Sequence, residues 1–213
     1  MMHTPRATPL TLWMNPSNSL PNDNSRALPQ TVVLDACVLL NLFASGRVEE
    51  ILQAVPSRYL VSRYVCREAL WYLVPSGETS TRTEKRQIVL DPLVAAGLLE
   101  IVDLSAQEQN AFVELAQQLG DGEAASGALA LCRSAAVATD DSRARHVFER
   151  QEKPLRVIGT ATILRSWESR LAVDSTAVLA ALQSIRLGAR FRPRDDDPDS
   201  AWWQDRIREI SHH

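Results

Sequence analysis

The sequence predicts an α/β chain with a central, mainly parallel sheet. Short β-branched and aliphatic runs alternate along it with segments that carry helix caps. Such alternation implies parallel strands covered by helices on both faces. The hydrophobic share of 45% and charged share of 23% are those of an ordinary globular chain, and 213 residues suffice for one good-sized domain. Right-handed crossovers would bring all strand C-termini to one edge, where open α/β sheets place their ligand crevice.

Residues 1–30 hold five of the eleven prolines among Asn, Ser and Thr. They read as a flexible N-terminal extension, or as an over-extended reading frame with Met14 as another start. "TVVLD" reads as a buried strand, with a helix over Ala36 to Ala44 at its C-terminal end. "RVEEILQAV" reads as a helix and "YLVS" as a strand. Ser62 can cap a helix over "RYVCREALWYLV" that runs into Pro75. The polar stretch from Pro75 to Arg86 is expected to be a surface loop. "DPLVAAG" has a cap, a proline in the first turn and a closing glycine. "LLEIVDL" follows as a strand. "SAQEQNAFVELAQQLG" opens on a capping box, Ser105 to Glu108, and closes on Gly120. The small-residue helix "DGEAASGALALCRS" leads to the strand "AAVAT", the helix "DDSRARHVFERQ" and the strand "LRVIG". Two helices, over Thr160–Arg170 and Ser175–Leu187, precede a tail over 188–213 containing "RPRDDDPDSAWWQDRI". Trp202 and Trp203 either pack back on the body or dock a partner.

No apolar run approaches the roughly 20 residues a membrane span needs. "LTLWM" is too short, and too closely flanked by prolines, for a secretory leader. Cys37, Cys66 and Cys132 are odd in number and lack CxxC spacing, which fits reduced thiols in a cytoplasmic protein. The net charge of −3 does not mark a nucleic-acid binder, but arginines cluster from Arg143 onward. They either solvate helix faces or form a phosphate-facing stripe.

Asp35 interrupts apolar sequence with no basic neighbour, and a buried unpaired carboxylate is costly. Asp140 and Asp141 follow "AAVAT" directly, Asp121 and Glu123 open the small-residue helix, and Glu68 sits inside an otherwise apolar helix. Each has a plain structural reading. Asp121 and Asp141 can cap helices, Glu123 can complement a helix dipole, and Glu68 can point outward. Collected at one sheet edge, they instead describe a cation site. Two carboxylates about 5 Å apart repel by roughly 3 kcal/mol at an effective dielectric near 20. Oxygen donors with retained waters suit Mg²⁺ or Mn²⁺, which activate water and stabilise phosphoryl charge. His146 is the only histidine away from the termini, so a His-based zinc site or a Ser-His-Asp triad has little to build with. No P-loop or GxGxxG follows the first strand, and Cys37 breaks a DxD phosphatase motif.

The order "VVLDACVLLNL", "YVCREAL", "LGDGEAASGALAL", "AVATDDSRARHVFE", "VIGTATIL" resembles a PIN-domain protein over roughly Thr31 to Leu187. The pairing of "GDGEA" with "TDDSRAR" and "VIGT" is its most specific part. The chain is similar to the branch of nucleic-acid-binding PIN proteins, many of them the toxin half of VapBC-type toxin–antitoxin pairs. That resemblance implies a three-layer α/β/α fold and Mg²⁺- or Mn²⁺-dependent endoribonuclease activity. It also implies an RNA substrate, a cognate antitoxin and a toxin homodimer.

Carried over by position, Asp35 matches the first-strand acid, Glu68 the helix acid and Glu123 the third acid. The fourth falls in "TDD", where Asp141 aligns best and Asp140 is a close alternative. Asp35, Glu123 and one or both of Asp140 and Asp141 would hold metal, and Glu68 would complete the cluster. Thr139 would orient a carboxylate or water, or is merely a strand-end hydroxyl. Asn41 would help position the first acid, and Arg143 and Arg145 would hold flanking phosphates. Two features depart from the commonest pattern: Cys37 in place of a small polar residue, and a glutamate as third acid. The alternative is a non-catalytic PIN-fold module that binds RNA or a protein, against which the complete acid set argues. Cleavage of DNA is not separable from cleavage of RNA at this level.

Overall fold

A computed structural model of the chain describes residues 28–68, 70–75 and 83–208; the expected N-terminal extension lies almost wholly outside them. In chain order the elements are β1 (Thr31–Leu34), α1 (Ala36–Ala44), α2 (Val48–Ala54), β2 (Arg58–Ser62) and α3 (Arg63–Arg67). There follow β3 (Trp71–Pro75), β4 (Thr83–Gln87), α4 (Asp91–Ala95), β5 (Glu100–Val102), α5 (Ala106–Ala116) and α6 (Asp121–Arg133). The chain continues through β6 (Ala136–Ala138), α7 (Ser142–Glu149), β7 (Val157–Ile158), α8 (Thr160–Leu171), α9 (Ser175–Gly188) and α10 (Ser200–Arg208).

Among the described residues, β5-β2-β1-β6-β7 form one sheet in that order, with every pair parallel. Side-chain alternation splits the core in two. Val32, Leu34, Tyr59, Val61 and Ala138 face a layer that includes α1, α2, α8, α9 and α10. Val33, Leu60 and Val137 face α5, α6 and α7 on the other side. This is the three-layer α/β/α arrangement, with strands apolar on both faces as parallel strands must be. The small residues of α6 permit its close approach. Gly127 has the Phe148 ring and Leu115 where a Cβ would stand.

The local signals hold in most places. Ser105 and Glu108 form the capping box, with Ser105 N–H donating to Glu108 at 2.7 Å. Pro92 lies in the first turn of α4, and Gly97 follows it at φ +69°. Asp91, however, is the first helical residue rather than its cap.

Between Ser62 and Arg86 the expectation is corrected. Ser62 does cap a helix, but α3 ends at Arg67 and Glu68 is its extended C-cap. Trp71–Pro75 is instead a strand, paired antiparallel with Thr83–Gln87, which takes in the last residues of the loop expected over Pro75 to Arg86. Aromatic and β-branched residues lose χ1 freedom in a helix and suit a pleated surface. Here Tyr72 also meets Phe43 of α1 at 6.4 Å between ring centroids. Beyond α9, α10 buries Trp202 and Trp203 against the body, the packing reading rather than the docking one. Among the described residues no helix is long and apolar enough to cross a membrane.

Candidate active site

The sheet order puts a topological switch at β1, whose neighbours β2 and β6 are reached by crossovers running to opposite sides. The C-terminal ends of β1 and β6 therefore open onto one crevice. Asp35 is the first residue past β1, and its N–H donates to the Ala138 carbonyl of β6 at 3.0 Å. Its side chain is only 2% exposed. One oxygen, Oδ2, accepts from the Thr139 hydroxyl at 2.9 Å and from the Cys37 thiol at 3.3 Å. The other, Oδ1, is buried with no hydrogen-bond partner. Burial pushes the Asp35 carboxyl above its ordinary range, opposed by the Thr139 bond.

Thr139 is fully buried and works in two directions, donating to Asp35 and accepting from the Asp141 N–H at 3.2 Å. Asp141 in turn caps α7 through the Ala144 N–H at 2.8 Å. Asp140 points elsewhere. Its Oδ1 accepts from the Thr160 N–H at 2.9 Å, and its Oδ2 from Asn41 at 2.8 Å and the Thr160 hydroxyl at 2.5 Å. Burial raises its pKa against those bonds, with a smaller push from Asp197. Both of its oxygens are committed to fastening β6 to α1 and α8.

Glu123 sits in the first turn of α6 and reaches back to the Gly120 N–H at 3.0 Å, so Gly120 is the N-cap and Asp121 is not. Its pKa is raised by burial, then by Asp141 and Asp35. Glu68 is raised by burial, then by Asp35, Glu123 and Asp121. Asp35, Glu68, Glu123 and Asp141 are thus close enough to feel one another's charge. The Cys37 thiol is pushed well up by burial, then by Asp35 and Asp140, so it stays protonated and donates to Asp35.

Two participants were not singled out from sequence. A Cβ at Gly122 would collide with the Glu68 carboxylate, so this glycine makes room for Glu68 beside α6. Its signal was a glycine in the first turn of a helix, where propensity disfavours it. Thr160 supplies two of the bonds to Asp140, and no local signal distinguishes it from an ordinary helix-start threonine. The two arginines proposed for phosphates differ in their surroundings. Arg143 is exposed and near enough to Glu123 to lower its pKa. Arg145 donates to the Thr139 carbonyl at 3.3 Å and lies 3.8 Å from Asp197.

Among the described residues no three His, Cys, Asp or Glu side chains are already arranged to hold a metal ion. The donor set nevertheless fits a hard divalent cation. Asp35 leaves one buried oxygen unpartnered, and the nearby acids raise the pKa of Glu68 and Glu123, with no lysine or arginine among the described residues in ion-pair distance of these carboxylates.

A search of curated proteins finds no significant match to the chain. The DUF3368 family model, described as a PIN domain, matches residues 31–194, a stretch that covers the whole five-stranded sheet, the helices from α1 to α9, and Asp35, Glu68, Glu123, Asp140 and Asp141. The fold and this match agree, and the chain belongs to the PIN-domain family, a nuclease-type fold.

Proposed function

We propose that the chain is a divalent-metal-dependent endoribonuclease and the toxin of a type II toxin–antitoxin pair. The observation that carries the catalytic part is the unpartnered Oδ1 of buried Asp35 amid Glu68, Glu123 and Asp141. Asp35, Glu123 and Asp141 would hold Mg²⁺ or Mn²⁺; Asp140, whose oxygens are engaged by Thr160 and Asn41, braces them instead. When bound, the ion supplies Lewis-acid stabilisation of phosphoryl charge and acidifies a water. Thr139 and Cys37 hold Asp35 in place through its Oδ2 and leave Oδ1 free. Glu68, beside Gly122, orients the attacking water and accepts its proton, a role its raised pKa suits. Arg143 neutralises a flanking phosphate.

Alanine at Asp35 or Glu123 should abolish Mg²⁺-dependent cleavage of single-stranded RNA while leaving the circular dichroism spectrum unchanged. Cleavage that survives both changes removes these acids from the mechanism. The alternative reading is a PIN-fold module that binds RNA or a protein without turnover. It predicts RNA affinity with no cleavage under any divalent ion. The toxin assignment, with a cytoplasmic homodimer and a cognate antitoxin, rests on family resemblance. It predicts a neighbouring reading frame for a small protein with a DNA-binding N-terminus.

A further inference from the structure

The segment between α9 and α10, residues 189–199, runs across the end of the family match at residue 194 and comes up beside Asp140, next to the candidate active site. With α7 it encloses a cleft of about 590 Å³ that begins at Asp140. Arg143, Arg145 and His146 line the α7 wall, and Arg192 and Arg194 line the wall formed by this strap.

The strap is fastened along its length. Phe191 packs edge-on against Trp203 at 5.7 Å, and Asp199 accepts from Thr162 and Arg165, both at 2.7 Å. Glu168 accepts from Trp202 and Arg206 of α10, both at 2.6 Å. The absence of a side chain at Gly159 allows Asp197 to come in beside Asp140. The wall is therefore built before any ligand arrives, which lowers the ordering cost of binding.

The cleft's charges fall into two groups. Asp197 lies against Arg145, and Asp196 pairs with Arg194 at 3.0 Å. Asp140 is spent on Thr160 and Asn41. Arg143 and Arg192, on opposite walls, make no ion pair among the described residues, and Glu149 is the remaining acid of the lining. Arg143 lines the cleft and is also near enough to Glu123 to lower its pKa.

We propose that this cleft binds the phosphodiester backbone of single-stranded RNA next to the scissile bond, with Arg143 and Arg192 as its phosphate contacts. Asp196 acts as an internal competitor that keeps Arg194 from the same backbone. The choice of RNA as ligand rests on the nuclease reading above.

Binding of a short randomised, fluorescein-labelled single-stranded RNA, followed by anisotropy in EDTA, tests this without turnover. R143A and R192A should each raise Kd by about tenfold and each lower the salt slope by roughly 0.7. D196N, which releases exposed Arg194, should lower Kd. Arg143 and Arg192 are exposed, so thermal melts should match wild type. Wild-type protein with no RNA affinity, or both arginine variants with wild-type Kd and salt slope, overturns the proposal. Cleavage of the same RNA under Mg²⁺ separates the two readings. Cleavage with R192A binding normally sinks the cleft alone, whereas arginine-dependent binding without cleavage sinks the nuclease reading and leaves the cleft.

Discussion

Asp140 and Asp141 are neighbours with opposite tasks, and the difference lies in where their oxygens go. Asp140 accepts three hydrogen bonds from Thr160 and Asn41, whereas Asp141 spends one on the Ala144 N–H of α7. An asparagine at position 140 would turn an NH₂ toward groups that are themselves donors. D140N should therefore lower unfolding free energy by about 1–3 kcal/mol, the usual cost of a buried polar group left unsatisfied. Asparagine caps helices as well as aspartate does, so D141N should change stability by only a few tenths of a kcal/mol. Urea denaturation of the two variants reads the contrast directly, and equal losses would show that Asp140 is no brace. From sequence the fourth acid falls in "TDD", where the resemblance favours Asp141 and keeps Asp140 as a close alternative. Which carboxylate turns inward depends on Thr160, twenty residues away, and on Asn41 across the sheet.

The β3–β4 hairpin is docked through backbone as much as through side chains. A Cβ on Gly188, the last residue of α9, would stand 2.7 Å from the Leu73 carbonyl oxygen and 3.2 Å from the Ala44 Cβ. G188A would gain at most about 1 kcal/mol of helix propensity. Overpacking against a carbonyl that cannot rotate away costs about 1–3 kcal/mol. The clash should win, with a net loss near 1 kcal/mol in chemical denaturation; a stabilised G188A would mean the hairpin is not held there. This hairpin is also where element-level reading failed. Ser62 does cap a helix, but nothing local in "RYVCREALWYLV" marks its stop after one turn, because the competing strand is stabilised by β4 and α9. Elements with self-contained signals were legible, among them the Ser105–Glu108 box and the proline and glycine of α4.

Across the whole molecule, strand alternation predicts a two-sided sheet, and crossover handedness predicts that the acids share one edge. Neither sets the order β5-β2-β1-β6-β7, and that order is what brings Asp35 beside Thr139 and Asp141. Nor does local pattern show that the strap and α10 close one side of the crevice: it favours packing of Trp202 and Trp203 on the body over docking a partner, but not where they pack. The gathering of acids has a consequence for stability. Asp35, Glu68, Glu123 and Asp140 all hold their protons more tightly folded than unfolded, chiefly through burial. A carboxyl with a raised folded pKa contributes its full stability below its ordinary value, near 4, and loses it as pH rises through the raised value. Glu100, Asp103 and Glu108 shift the opposite way through arginine partners and lose stability as pH falls below the ordinary range. In EDTA, Tm should therefore fall as pH is raised from about 5 to about 8, because the acidic cluster ionises without compensation. Mg²⁺ offsets that ionisation and competes with protons for the same oxygens, so it should raise Tm more at pH 8 than at pH 5. D35N, with no charge to lose, should flatten the EDTA profile and reduce the Mg²⁺ increment. A metal-free Tm that climbs across this range, or a Mg²⁺ increment independent of pH, would mean that these carboxylates do not form one electrostatic unit.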